Sequence, residues 1–347
     1  MSGTGSRVTL LSAGVALGML ACTSEDSPTT PSDSPTAALT TAAEYRAVDL
    51  GTLGGAGSIA FGINKSGQIV GQSLTAQTQN HAFLWSAGVM TDLGTLGGRS
   101  SRAFGIDGTG RIVGGATTAG QNGSTHAFLW TNGVMQDLGT LGGIFSEATA
   151  INAGGQVVGA SSIGVNPQAD PIHAFLWKNG TMTDLGTLGG DYSYARGINP
   201  LGDVVGESKT ATGRLHAFLW SNGTMTDLGP TAGRAYGINR SGRVVGSTGS
   251  TPRATVWVNG QKRLWGPAGT VSAGFGVNAA GLVVGVIQAS GANQAVLWNK
   301  GVATVLRTIG GDLVHGQAFA INADGEIAGE STTVAGDVSH ATLWTLK

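Results

Sequence analysis

"AVDLGTLGG" (47–55) opens the repetitive part of the chain as the tail of a longer phrase whose head is missing. The whole phrase stands at "HAFLWSAGVMTDLGTLGG" (81–98), "HAFLWTNGVMQDLGTLGG" (126–143) and "HAFLWKNGTMTDLGTLGG" (173–190). The head stands alone at the far end, as "HATLWTLK" (340–347). Between them the chain repeats with a period of about 43 residues, which calls for a repeat architecture. The unit has four short apolar runs bounded by glycine or turn dipeptides: a "SIAFGIN" (58–64), b "QIVG" (68–71), c "HAFLW" (81–85) and d "VMTDLGTLGG" (89–98). Such runs, dense in Ile, Val, Phe and Trp, read as strands.

Each run occurs seven times, yet the first d and the last c are orphans. A linear stack would leave two bare sheet edges, whereas a circle leaves none. The expected fold is therefore all-β, a seven-bladed β-propeller with four antiparallel strands per blade. Its ring is closed by the N-terminal strand pairing with the C-terminal strand.

A second pattern points the same way. His81–Asp92, His126–Asp137, His173–Asp184 and His216–Asp227 recur at a constant spacing of eleven across the c–d hairpin. The copies headed by Arg253 and Gln294 lose both partners together, carrying Arg263 and Val305 in run d. This is expected if each pair is one buried interaction whose half would be costly alone. His340 and Asp49 remain, and only ring closure pairs them. With Asn179-Gly180 as a two-residue hairpin loop, Trp177 faces Met182 and Phe175 faces Asp184. The five pairs sit on different blades and cannot converge on one ion, so they read as structural and no metal or other cofactor is expected.

The a–b turn recurs as Asn64-Lys65-Ser66-Gly67 and its equivalents, a type I preference with Asn or Asp first and Gly fourth. "NADGE" (322–326) lacks the alternating carboxylates of a calcium loop. Recurring Trp85, Trp130, Trp177, Trp220, Trp257, Trp298 and Trp344 read as blade packing, and Gly71 and its equivalents as points of close blade-to-blade approach.

The "HAFLW…DLGTLGG…GIN..G.IVG" unit, over residues 45–347, resembles the repeat of the HAF family of bacterial extracellular repeat proteins. The fifth and sixth copies depart from it ("RATVW", "QAVLW", "RLWGPAG", "VLRTIGG"). The resemblance implies an extracellular repeat protein and no particular activity.

Residues 1–22 read as an export signal, with Arg7 before the apolar run "VTLLSAGVALGMLA" (8–21). Its end, "MLAC", resembles a bacterial lipobox, which makes Cys22 a lipidation site and the mature N-terminus. Thr23 and Ser24 follow, with no aspartate, the pattern of lipoproteins sorted to the outer membrane. The expected location is the outer membrane or cell surface, or otherwise the secreted medium. Residues 23–44, rich in Ser, Thr and Pro, read as a tether. Charged residues make up 11% of the chain and the formal net charge is −1, so no basic stripe is present to bind nucleic acid. The lipid is the expected contact with a membrane, and a monomer is the expected state.

The a–b and c–d turns barely vary in length, whereas b–c and d–a connections do, which makes one rim uniform and the other individual. Binding belongs on the individual rim. The d–a connections hold the unrepeated polar residues Arg99, Arg102, Glu147, Asp191, Tyr192, Tyr194, Arg234, Asp312 and His315. The favoured function is a non-catalytic surface module binding an extracellular protein or glycan there. One alternative is a propeller hydrolase or lyase acting on extracellular carbohydrate, with Glu147 or Asp191 as acid/base. The other is a purely structural envelope protein.

Overall fold

The computed structural model describes residues 40–41, 45–120, 123–164, 170–289, 291–311, 315–333 and 338–347. The export signal with Cys22, most of the tether, and Asp312 lie outside these residues. Among the described residues all regular structure is β-strand.

In the first full copy, Gly54–Ile63 (strand a), Ile69–Thr75 (b), Asn80–Ser86 (c) and Val89–Asp92 (d) form one antiparallel sheet in chain order. The same a–b–c–d order recurs from Gly97–Ile106 to Val134–Asp137, from Ser146–Ile151 to Thr181–Asp184, and from Gly189–Ile198 to Thr224–Asp227. It recurs again from Gly233–Ile238 to Gln261–Leu264 and from Ser272–Val277 to Val302–Val305. The last sheet takes a, b and c from Gly316–Ile321, Ile327–Thr332 and Ser339–Leu346, and its fourth strand is Tyr45–Asp49. That strand lies antiparallel to the C-terminal one, with Tyr45 opposite Leu346, Ala47 opposite Trp344 and Asp49 opposite Thr342. Within the stretch read as a tether, Thr40–Thr41 pairs in parallel with Thr304–Val305.

Burial explains the strand chemistry. Strand b is covered on both faces and reads as a continuous apolar or small-residue run, as in "VVGASS", where every residue is buried. Strand d is largely exposed and alternates with polar residues. Each sheet packs one face on the opposite face of the next: Val70 and Ala82 meet Ala103, Ile112 and Phe128. The last sheet packs on the first through Ala328, Ala341 and Leu343 against Ala60, Ile69 and Phe83. A fully enclosed phenylalanine such as Phe83 contributes about 2–3 kcal/mol by burial. Trp298 and Trp344 are wholly buried, whereas Trp85, Trp130 and Trp220 are half-buried at the rim of their clusters.

The a–b turn does more than turn. Asn64 Oδ1 accepts from the Ser66 and Gln68 amides, and its Nδ2 donates to the Asp107 carbonyl of the next copy at 3.0 Å. Asn152, Asn199, Asn239 and Asn278 likewise reach the carbonyls of Asn199, Asn239, Asn278 and Asn322. Asn322 Nδ2 donates to Asn64 O at 3.2 Å. Asp107 has no amide to donate; there Arg111, paired with the Asp107 carboxylate, reaches the Ala153 carbonyl instead. Burial opposes the Asp107 charge, but hydrogen bonds from Thr109 and Arg111 outweigh it and hold the carboxyl below its ordinary range.

Three expectations need correction. Run d ends as a strand at Asp92, because Gly94 and Gly97 take φ of 76° and 95° and turn the chain through "LGTLGG" into the next strand a. Gly71 does not serve contact between sheets. A Cβ there would lie 1.9 Å from the Ile59 carbonyl of its own sheet, beside the bulge at Ala60–Gly62; the approach between copies is at Gly62, whose Cβ would meet the Phe104 carbonyl at 2.9 Å. The His–Asp pairs are partly exposed rather than buried: at His81–Asp92 the side chains keep 18% and 41% of their surface. The aspartate divides its oxygens, Oδ2 to His81 Nδ1 at 2.7 Å and Oδ1 to the Gly94 amide at 2.8 Å. It ties the hairpin and caps the following turn.

Candidate functional site

Most of the polar residues placed by sequence in d–a connections lie inside strand a, because that strand begins earlier than the apolar run. Arg99 and Arg102 belong to Gly97–Ile106, Glu147 to Ser146–Ile151, Asp191, Tyr192 and Tyr194 to Gly189–Ile198, and Arg234 to Gly233–Ile238. His315 is exposed and stands just before Gly316–Ile321. Rigid strands, rather than loops, therefore position them.

Register gathers some of these residues. Arg102, Glu147, Tyr194 and Arg234 occupy the same place in successive copies, opposite Gly115, Ala160, Glu207 and Ser247 of strand b. Two residues further along strand a stand Phe104, Thr149, Arg196 and Tyr236, and in the remaining copies Phe275, Phe319 and Phe61. The aromatic members touch from copy to copy, with centroid distances of 5.1 Å (Tyr236–Phe275), 5.4 Å (Phe275–Phe319), 5.5 Å (Phe319–Phe61) and 5.1 Å (Phe61–Phe104). The Arg196 guanidinium carries the series on, 4.5 Å from the Tyr194 ring centroid and 5.5 Å from that of Tyr236.

The charges form a connected arc. Glu207, buried to 1% exposure, accepts two hydrogen bonds from Arg196, at 2.7 and 2.6 Å, and Arg234 Nε lies 3.9 Å away. Burial works against the Arg196 charge, but the Glu207 carboxylate more than offsets it, so the guanidinium holds its proton more tightly than usual. Tyr194 donates its hydroxyl to Glu147 Oε2 at 2.6 Å. Burial first, then the Glu147 charge, pushes the Tyr194 phenol well above its ordinary range. Burial and the Glu207 charge push Tyr192 up to about 12. Both phenols are neutral donors at physiological pH.

Beside Glu147 lies a cavity of about 260 Å³, lined by Ser100, Ser101, Arg102, Gly115, Thr117, Thr125, Phe145 and Glu147. It opens beside Gly115, which stands where other copies carry Gln72, Ala160, Glu207, Ser247, Val286 or Glu330.

The two carboxylates considered as acid/base candidates engage different partners. Glu147 takes the Tyr194 hydroxyl, whereas exposed Asp191 accepts from Lys209 Nζ at 2.9 Å. The hydrogen bond and charge of Lys209 hold Asp191 below the ordinary carboxyl range, which suits a fixed anion rather than a proton donor. Arg99 is exposed. Among the described residues no group of three or more His, Cys, Asp and Glu is placed to hold a metal ion. Arg196, Glu207 and Tyr236 were not found by sequence, because they sit within runs otherwise given to packing. The signal was two variable columns: the one after the constant run-b glycine, where Glu207 stands among Gln, Gly, Ala, Ser and Val, and the run-a column otherwise held mostly by Phe, where Arg196 and Tyr236 stand.

No family model matches the chain, and no curated protein matches it. Among solved structures it is similar to a puromycin-hydrolysing peptidase of Mycobacterium tuberculosis, at 10% identity and a TM-score of 0.54, over 79% of this chain and 48% of that one. The chain thus spans about half the length of that peptidase, and the likeness is one of fold. It is also similar to a putative gluconolactonase (12% identity, TM-score 0.47, 90% of this chain and 97% of that one). A further match is the WD40 β-propeller domain of Doa1 (12% identity, TM-score 0.49, 87% of this chain and 97% of that one).

Proposed function

We propose that this chain is a closed seven-bladed β-propeller of HAF-type repeats, exported and held at the outer membrane or cell surface by a lipid on Cys22. In this reading it is a non-catalytic module that binds an extracellular glycan or protein on the rim where strand a begins. Ring closure is supported by the pairing of Tyr45–Asp49 with Ser339–Leu346, by the Asn322–Asn64 hydrogen bond, and by the packing of the last sheet on the first.

One observation carries the functional reading. The polar arc from Glu147 to Arg234 is a set of fixed donors and acceptors in which the buried carboxylate is neutralised by an arginine and Glu147 is pinned by a neutral tyrosine. Fixed, complementary hydrogen-bonding groups beside aromatic faces recognise a ligand; an opposed acid and base would be needed to cleave one.

The test is a glycan panel incubated with the full mature protein, with bound material recovered and weighed by mass spectrometry. Retention of intact glycan, weakened by Glu147→Gln and unaffected by Asp191→Asn, is expected. Recovery of cleaved glycan would contradict the reading. Mass spectrometry of the mature N-terminus tests the anchor: a diacylglyceryl-bearing Cys22 is expected, and a free N-terminus elsewhere would remove it.

A further inference from the structure

We infer that the cavity beside Gly115 is a subsite for one uronic-acid unit of an acidic polysaccharide, with Arg102 taking its carboxylate. The inference rests on the reading of this rim as a binding face and adds to it the ligand class.

The repeat itself shows why the cavity is a built feature. At the position after the run-b glycine the other copies fill the space with a side chain, and this copy alone has glycine. A Cβ on Gly115 would stand 3.0 Å from Glu147 Oε1 and 3.1 Å from Thr125 Cγ2, so even one methyl group begins to close the opening. Gly115 takes no left-handed φ, which leaves no backbone reason for glycine there.

The lining then selects the ligand. Arg102 is partly exposed and, unlike that of Arg196, its guanidinium makes no ion pair or hydrogen bond among the described residues. An unpaired guanidinium in a partly enclosed site favours a planar carboxylate, which it meets through two parallel hydrogen bonds. Glu147 stands in the same cavity, its Oε2 held by Tyr194 and its Oε1 directed toward Gly115. A carboxylate there disfavours phosphate groups, which carry more charge than a single carboxylate, and accepts from hydroxyls. Ser100 supplies a further hydroxyl group on the wall, and Phe145 with the Thr125 methyl supplies an apolar surface for the C–H face of a ring. A neutral sugar leaves the Arg102 charge without a counter-charge, and a simple anion offers no hydroxyl to Glu147 Oε1. A polyhydroxylated monoanion satisfies both, and about 260 Å³ matches a single sugar unit rather than a longer segment.

The experiment is calorimetric titration of the mature protein with a uronic-acid trisaccharide, its methyl ester, the matching neutral trisaccharide and inorganic phosphate. The acid is expected to bind at least tenfold more tightly than the ester, since a hydrogen-bonded charge contributes about 10- to 100-fold. In Arg102→Gln that preference should fall to about onefold, with the neutral trisaccharide unaffected. Gly115→Val, whose side chain fills the cavity, should abolish acid binding while the melting temperature and circular dichroism stay native. Equal binding of acid and ester, an acid preference that survives Arg102→Gln or Gly115→Val, competition by phosphate, or no binding of the acid would each overturn the subsite. The broader reading fails by a different result, the appearance of cleaved glycan in the panel assay.

Discussion

His340 Nδ1 lies 2.9 Å from both carboxylate oxygens of Asp49, a residue 291 positions earlier in the chain. The other four His–Asp pairs each close a local hairpin at a spacing of eleven, and this one joins the first and last described strands of its sheet. Because the side chains keep 22% and 38% of their surface, solvent screens the pair and its energy is modest. A double-mutant cycle with His340→Ala and Asp49→Ala, read by urea denaturation, should give a coupling of about 0.5–1 kcal/mol. Strictly additive effects would mean that the two residues do not meet in solution.

Glu330 predicts an unusual pH dependence. It occupies the place that Glu207 holds beside Arg196, but its nearest donor is the Gln317 amide at 3.0 Å. Burial pushes its carboxyl from 4.5 up to about 7, only partly opposed by Gln317. The folded state therefore binds a proton that the unfolded state releases. This stabilisation is fully present below about pH 4.5 and is lost as pH rises through 7. Relative to Glu330→Gln, the wild type should lose on the order of 3 kcal/mol between those limits. Denaturation at several pH values checks this, and parallel profiles for the two proteins would refute it.

Two strand-b glycines in different sheets should differ in what an added methyl costs. Gly71→Ala drives a Cβ to 1.9 Å from the Ile59 backbone carbonyl, which cannot move without breaking the bulge, and should cost about 3 kcal/mol or more. Gly115→Ala meets the Glu147 side chain, which can yield, and should cost under about 1 kcal/mol. Thermal melts of the two variants decide the matter; similar losses would contradict the packing described.

Much of this was legible in the sequence, and for a physical reason. Asn179-Gly180 fixes a hairpin register, so Phe175 opposite Asp184 followed directly, and a constant His-to-Asp spacing exposed the odd pair at the termini. Other features depend on which atoms meet across copies, which no local pattern reports. Asn64 reads as a turn cap from its neighbours alone, yet its amide spends its proton on Asp107 of the next copy. The polar arc was half visible. Arg102, Glu147, Tyr194 and Arg234 stood out as unrepeated, but Arg196 and Glu207 lie where the repeat normally packs. Strand a also began earlier than its apolar residues, because Gly54 and Gly55 extend it without any hydrophobic signal.

The decisive measurement joins the strands at the two ends covalently. Arg46 and Thr345 face each other in register, and directly opposed antiparallel residues lie within disulfide reach. In a Cys22→Ser background, Arg46→Cys with Thr345→Cys should oxidise readily in the folded protein to a circular species that migrates faster on a non-reducing gel. The same pair should stay reduced when the protein is denatured first. If no bond forms under native conditions, the termini are apart, the circle is open, and the account is wrong.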